Sequence, residues 1–128
     1  MADRRVLVDT SIFIDYFRKE NKTKTKLYYL AQEKYTLTTS SVCYFEYMVG
    51  SKNREFDKLI FENIEIIPFD KVQAFEATTI FQNLKENNNL IEFRDIFISA
   101  CAITENIPLA TLNIKHFKRI KNISLLKL

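Results

Sequence analysis

Arg4-Arg5-Val6-Leu7-Val8-Asp9-Thr10-Ser11-Ile12-Phe13-Ile14-Asp15-Tyr16-Phe17 decides the fold of this chain. Residues 4–8 form a short β-branched run that stops at a polar triplet, which reads as a buried strand feeding directly into a helix. Asp9, Thr10 and Ser11 carry oxygens that accept from the free N–H groups of a first helical turn. Ile12, Phe13, Tyr16 and Phe17 then recur at helical spacing. The alternation continues down the chain. Leu27, Leu30 and Ala31 mark a second helix ending near Lys34, and residues 35–39 a second strand. Ser40-Ser41 opens a helix on which Val42, Phe45 and Val49 are core candidates, with Glu46 among them. Residues 53–63 read as a short amphipathic helix and residues 64–69 as a third strand. A long helix over 70–87 carries Val72, Phe75, Ile80 and Leu84 on one side, and Asn87-Asn88-Asn89 is a turn. Residues 95–105 are apolar all round between their ends, which places that helix in the middle of a fold. Residues 108–111 and 123–126 supply a fourth and a fifth strand. Strands alternating with helices predict an α/β fold, a central, mostly parallel, four- to five-stranded sheet flanked by helices on both faces. In such sheets sites gather beyond the carboxyl ends of the strands.

The 128 residues favour one domain, 1–128, and show no repeat, low-complexity tract or linker. A chain this long buries roughly two-thirds of the surface its unfolded form exposes, enough for a core without staples. A single Gly excludes P-loop and dinucleotide-binding loops, which need several glycines for close backbone approach. A single His excludes metal sites built on two imidazoles, and Cys43 and Cys101 are too few for a disulfide scaffold or a four-thiolate zinc site. Any metal must therefore be held by oxygen. The absence of a leader pattern and of an apolar run of membrane-spanning length, with two cysteines in apolar surroundings, leads to the expectation of a reducing cytoplasm and no membrane.

Three acids stand out. Asp9 follows the first strand, Asp95 opens the buried helix, and Glu46 lies among apolar residues. Two readings stand on the residues alone. Asp9 and Asp95 suit helix N-caps, with Glu46 a surface residue of an amphipathic helix. Alternatively, the three carboxylates converge, repel one another, and are reconciled by a hard divalent cation. A phosphoaspartate centre of the haloacid-dehalogenase kind wants a second Asp where Ser11 stands.

Four segments together resemble the PIN-domain nucleases and, among them, the VapC-type toxins of toxin–antitoxin pairs. They are the opening stretch 6–17, residues 41–50 with Glu46 and the only Gly, Arg94-Asp95-Ile96-Phe97-Ile98-Ser99-Ala100-Cys101-Ala102, and residues 108–117. The resemblance spans nearly the full length in the right order. It implies a PIN-like three-layer fold and an endoribonuclease whose acids Asp9, Glu46 and Asp95 hold Mg²⁺, with Mn²⁺ able to substitute. By it, the same three residues are catalytic, water attacks a scissile phosphate in line, and Asp95 or Glu46 takes the proton, leaving 5′-phosphate and 3′-hydroxyl ends. Thr10 and Thr111 match supporting hydroxyl positions. The chain departs from the family at the fourth acid, where Asn113 and His116 stand. Asn113 still offers a carbonyl oxygen, but its neutral side chain argues for one firm metal site rather than two. His116, between Lys115 and Phe117, reads as a surface residue.

The formal charge is only +3, but its distribution is uneven. Arg18, Lys19, Lys22 and Lys24 follow the first helix, and Lys115, Lys118 and Arg119 follow the fourth strand. Such clusters are solvated faces or, beside an acidic site, the cations that hold an RNA backbone. Arg94 either contacts phosphate or pairs with Glu92. The resemblance further implies a structured RNA substrate of the tRNA or rRNA class, a cognate VapB-like antitoxin and a homodimer. The antitoxin's apolar segment would lie near Tyr28, Tyr29, Tyr44 and Tyr47, with a basic residue reaching the acidic pocket. The alternatives are a housekeeping RNA-processing PIN nuclease and a catalytically degenerate binding module that lacks the fourth acid.

Overall fold

The computed structural model describes residues 4–128; residues 1–3 of the expected domain lie outside it. Four parallel strands, β1 (Arg5–Val8), β2 (Thr36–Ser40), β3 (Glu65–Ile67) and β4 (Leu109–Ala110), lie in the order β3-β2-β1-β4. β1 pairs in parallel with β2 on one side and β4 on the other. The chain therefore leaves β1 in one direction and returns on its opposite edge, which makes the carboxyl end of β1 a topological switch point. The expected fifth strand is reduced to an isolated parallel bridge between Leu109 and Leu125. Ser124 O accepts from Leu109 N–H, and Leu126 N–H donates back to Leu109 O, so the segment touches the sheet over a single residue of β4.

Seven helices complete the described residues: α1 (Thr10–Arg18), α2 (Lys26–Gln32), α3 (Ser41–Val49), α4 (Arg54–Phe61), α5 (Lys71–Glu86), α6 (Phe93–Glu105) and α7 (Ile114–Phe117). A short 3-10 turn, Lys22–Lys24, precedes α2. Alternation along β1 separates two cores, one on each face of the sheet. Leu7 packs into a cluster with Ile80, Leu84, Ile96, Ile98 and Phe117, which covers one face with α5 and α6. Val6 and Val8 pack with Ile12, Phe13, Leu30 and Phe61 on the other, under α1, α2 and α4. The result is the three-layer arrangement expected. None of the helices among the described residues is long and apolar enough to cross a membrane.

Buried threonines knit the strands. Thr38 Oγ1 donates to Val6 O at 2.9 Å and Thr39 Oγ1 to Val8 O at 2.7 Å, so both hydroxyls are satisfied inside the sheet. Ser40 ends β2 and caps α3, its Oγ accepting from Cys43 N–H at 3.0 Å. Because that bond fixes the start of the helix carrying Glu46, Ser40→Ala is expected to lower stability by about 1 kcal/mol. The check is a shifted urea midpoint at unchanged slope; no shift would contradict the assignment.

Two helical faces depart from expectation. Phe45 and Val49 are exposed at 67% and 68%, whereas Cys43 is buried and Tyr44 and Tyr47 pack against the Phe13–Phe61 cluster. On α5 the buried line is Gln73, Ala77, Ile80 and Leu84, and Val72 and Phe75 face outward. Gln73 holds the inward place because its side chain accepts from Asp70 N–H in a capping box.

Candidate active site

Asp9 stands at the N-cap position of α1, yet its side chain caps nothing. Its oxygens are engaged across the fold. Thr111 Oγ1 donates to Oδ2 at 2.7 Å, Ser11 Oγ to the same oxygen at 3.1 Å, and Arg94 Nη2 to Oδ1 at 2.8 Å. The N-cap reading of Asp9 is therefore corrected: a fully buried carboxylate, 0% exposed, accepts from side chains of Ser11 on α1, Thr111 just after β4 and Arg94 on α6 instead of from the backbone of its own helix. Ser11, likewise, accepts from Leu112 N–H rather than capping α1. Asp95 is the third residue of α6 and not its opening cap, which is Glu92. Burial of Asp95 is nearly complete, at 2% exposure.

Glu46 projects from α3 and comes close to Asp9. Thr10 Oγ1 donates to its Oε1 at 2.8 Å. The three carboxylates converge on one guanidinium. Arg94 bonds Glu46 through Nε to Oε2 at 2.5 Å and Nη2 to Oε1 at 2.9 Å, and Asp95 through Nη1 to Oδ1 at 2.6 Å. With the Asp9 bond, all three acids share a single cation. Arg94 thus does not pair with Glu92, because the fold brings it acids from 48 and 85 positions earlier in the chain. Burial opposes its charge, but the bonding to Glu46, the charge and bond of Asp9 and the bond to Asp95 outweigh it and push its pKa up.

Two thiols lie close by. Cys43 Sγ is 3.8 Å from Asp9 Oδ1, and burial, followed by the charge of Asp9, raises its pKa. Cys43 is thus more than the small hydrophobe its neighbours in sequence indicate. Cys101 is pushed up to about 12 by burial, with Cys43 and Glu105 adding to it. Neither thiol is poised as a nucleophile.

The remaining expected residues arrange themselves around this centre. Arg18 and Lys52 line a cleft that includes Glu46, while Lys115, His116 and Arg119 line a second depression that includes Asp95. His116 is largely exposed, as expected, but its Nδ1 sits 3.3 Å from Asp95 Oδ2, a contact that the local sequence conceals. Asn113 directs its N–H to Thr111 Oγ1 at 3.0 Å, orienting the hydroxyl that bonds Asp9, and its side chain is exposed. Among the first basic group, Lys19 is paired with Asp15 at 2.9 Å. Lys22 donates to Tyr16 O and lies over the Tyr16 and Phe17 rings, so it braces the turn before α2. Lys24 and Lys118 are exposed. Sequence reasoning missed Lys52 and Ser11, and only the positions of both beside the acids reveal them.

Chemically, the centre is a set of hard oxygen donors with a net negative charge, at the carboxyl end of a parallel sheet. Ligand atoms of Asp9, Glu46 and the Cys43 thiol all fall within 4.8 Å of one another, close enough to share an ion; Asp95 lies outside that group and is joined to it through Arg94. Carboxylates at this spacing, backed by the hydroxyls of Thr10 and Thr111, fit a divalent cation.

Comparison with known proteins identifies the family. The PIN domain matches residues 6–123. Ribonuclease VapC1 of Methanocaldococcus jannaschii is 32% identical over 123 residues, covering 96% of this chain and 86% of that protein. Ribonuclease VapC of Rickettsia bellii is 31% identical over 131 residues, covering 94% of each. Among solved structures, VapBC2 from Rickettsia felis, bound to a DNA fragment from its promoter, superposes with a TM-score of 0.81 at 27% identity, covering 97% of this chain and 98% of the other. The parallel sheet, the converging acids at its carboxyl end and relatives matched over nearly the whole length agree: the chain belongs to the PIN-domain family, among its VapC proteins.

Proposed function

We propose that this protein is a metal-dependent endoribonuclease, the toxin of a toxin–antitoxin pair, hydrolysing phosphodiester bonds in structured RNA of the tRNA or rRNA class. The observation that carries the reading is the convergence of Asp9, Glu46 and Asp95 on one cation, Arg94. Carboxylates that only capped helices or faced solvent would not be gathered from the end of β1, α3 and α6 onto one guanidinium. Asp9, Glu46 and Asp95 would hold Mg²⁺ or Mn²⁺, which when bound supplies Lewis-acid stabilisation of a phosphate and an activated water.

The chain's own groups do the rest. Thr111 and Ser11 fix the Asp9 carboxylate, and Thr10 fixes that of Glu46, so the acids are held before substrate arrives. Asp95 or Glu46 accepts the proton of the attacking water. Arg18 and Lys52 on the Glu46 side, with Lys115 and Arg119 on the Asp95 side, offer phosphate contacts on both flanks of the acids. Exposed Lys24 and Lys118 would add further phosphate contacts, Lys19 and Lys22 less so because of their internal partners. Specificity comes from exposed bases and the shape of an RNA loop.

A VapB-like antitoxin is the proposed partner, in keeping with the VapBC complexes that superpose on the chain. An apolar groove lined by Phe13, Phe17, Leu27, Leu37, Phe56 and Ile60 between the early helices suits an antitoxin's apolar segment. Homodimer formation is supported by the outward Val72, Phe75 and Phe93 on α5 and α6, exposed at 65%, 74% and 61%. The cytoplasm is the proposed compartment, where RNA and a reducing environment coincide.

The test is incubation of total cellular RNA with purified, antitoxin-free protein in Mn²⁺, with the new 5′ ends mapped by sequencing. Discrete cuts that carry 5′-phosphates and vanish with chelator are expected. Cuts ending in 2′,3′-cyclic phosphate would contradict water attack. No cutting at all would favour the degenerate binding module and direct attention to Asn113.

A further inference from the structure

We infer that Arg94 is a built-in competitor of the catalytic cation: its guanidinium occupies the carboxylate cluster of the metal-free protein and must leave for a divalent ion to bind. The inference rests on the proposed cation centre. Its geometric basis is the complete use of the guanidinium edge. Nη2 is shared between Asp9 Oδ1 and Glu46 Oε1, Nε serves Glu46 Oε2, and Nη1 serves Asp95 Oδ1. Those are the oxygens that a cation held by the same three acids would need.

A divalent ion and a guanidinium cannot both sit at the shared point, because both require the same lone pairs and their charges repel. The arrangement also answers a folding difficulty. Asp9 and Asp95 are buried at 0% and 2% exposure, and three converging carboxylates with no cation would repel one another. Arg94 supplies the charge from the second position of α6, directly before Asp95. Its side chain retains 25% exposure, so an outward rotamer towards solvent is open to it without moving the helix. The protein therefore folds without metal and binds metal at the expense of its internal ion pairs. Where a competent state is populated only a tenth of the time, apparent affinity falls about tenfold.

Removing the competitor should strengthen cation binding. Mn²⁺ titration calorimetry on the natural chain, Arg94→Gln and Arg94→Lys separates the causes. Gln removes both the fork and the charge, whereas Lys keeps the charge but cannot bridge three carboxylates at once. Mn²⁺ is expected to bind Arg94→Gln about tenfold tighter and Arg94→Lys about threefold tighter than the natural chain. Thermal unfolding without metal should come earlier in both variants, with a larger upward shift on adding Mn²⁺. Equal or weaker Mn²⁺ affinity in both variants overturns the inference and leaves the cation centre standing. Tightening in Gln alone reduces Arg94 to a distant charge and also overturns it. No Mn²⁺ binding by any of the three chains refutes the cation centre itself.

Should the variants fail to fold, the natural chain suffices. The Arg94 Nε–H resonance, protected by its bond to Glu46, should lose that protection as Mg²⁺ is added. An unchanged resonance at saturating Mg²⁺ contradicts displacement.

Discussion

Asp9→Asn is expected to slow RNA cleavage by about a hundredfold to ten-thousandfold while leaving a cooperatively folded protein. The substitution keeps the volume and one acceptor oxygen, so Thr111 and Ser11 retain a partner within the 2.7 and 3.1 Å contacts that now hold the carboxylate. What it removes is charge. Three acids and one Arg leave the centre at −2, and Asn at position 9 brings it to −1, weakening its hold on a divalent ion. The same step lessens repulsion among the remaining acids while costing Arg94 one charged partner. Hydrogen bonds to charged groups are worth about 1.5–3 kcal/mol, so the two effects offset and the melting temperature should move little. A variant that melts normally and cuts RNA at the natural rate would contradict the assignment of Asp9. Were Asp9 merely a cap, Asn would serve as well and activity would be retained.

Phe13→Ala is expected to destabilise the fold by about 3–5 kcal/mol. Phe13 is 1% exposed and sits four residues after Asp9, on the α1 face that seals the second core. Its ring centroid lies 5.0 Å from that of Phe61 and 6.4 Å from that of Tyr47, and Tyr44 and Phe17 extend the cluster. Truncation removes the ring that packs on both Phe61 and Tyr47 and leaves a cavity that rigid neighbouring rings close only partly. Domains of this kind are stable by about 5–15 kcal/mol, so the loss takes a large share of the total. Urea unfolding reads it directly. A loss below about 1 kcal/mol would mean that the cluster repacks freely, against the packing described here.

Much of this architecture is legible in the sequence because local signals and tertiary packing agree. The run ending at Val8 is apolar and stops at Asp9, and the strand indeed stops there, at the carboxyl end where sites collect. α6 reads as buried all round and has Ile96, Ile98, Ser99, Ala100, Cys101 and Ala102 buried. The failures have a common physical origin. Along α3, apolar residues stand on more than one face, and periodicity cannot choose between Phe45 with Val49 and Cys43 with the tyrosines. The sheet and α4 choose the latter. On α5 a capping Gln takes an inward place that hydrophobicity alone would give to Val72 or Phe75.

The same limit governs the site. Asp9 and Asp95 stand out in the sequence at element ends and Glu46 inside an apolar helix, but helix caps, surface acids and metal ligands use the same residue types. The donors that show which way Asp9 turns include Thr111 and Arg94, 102 and 85 positions away. Arg94 is the hardest to place from sequence, since its neighbours there are Glu92 and Asp95 while two of its three partners come from the end of β1 and from α3. His116 misled for a related reason: its exposure was legible, its contact with Asp95 was not.

Anomalous diffraction from crystals grown with Mn²⁺ tests the central claim most directly, because it locates the ion without relying on activity. A manganese peak is expected among the carboxylate oxygens of Asp9, Glu46 and Asp95, with the Arg94 guanidinium turned out of the cluster. A manganese peak elsewhere on the chain, or none with Arg94 still bridging the three acids, would contradict it.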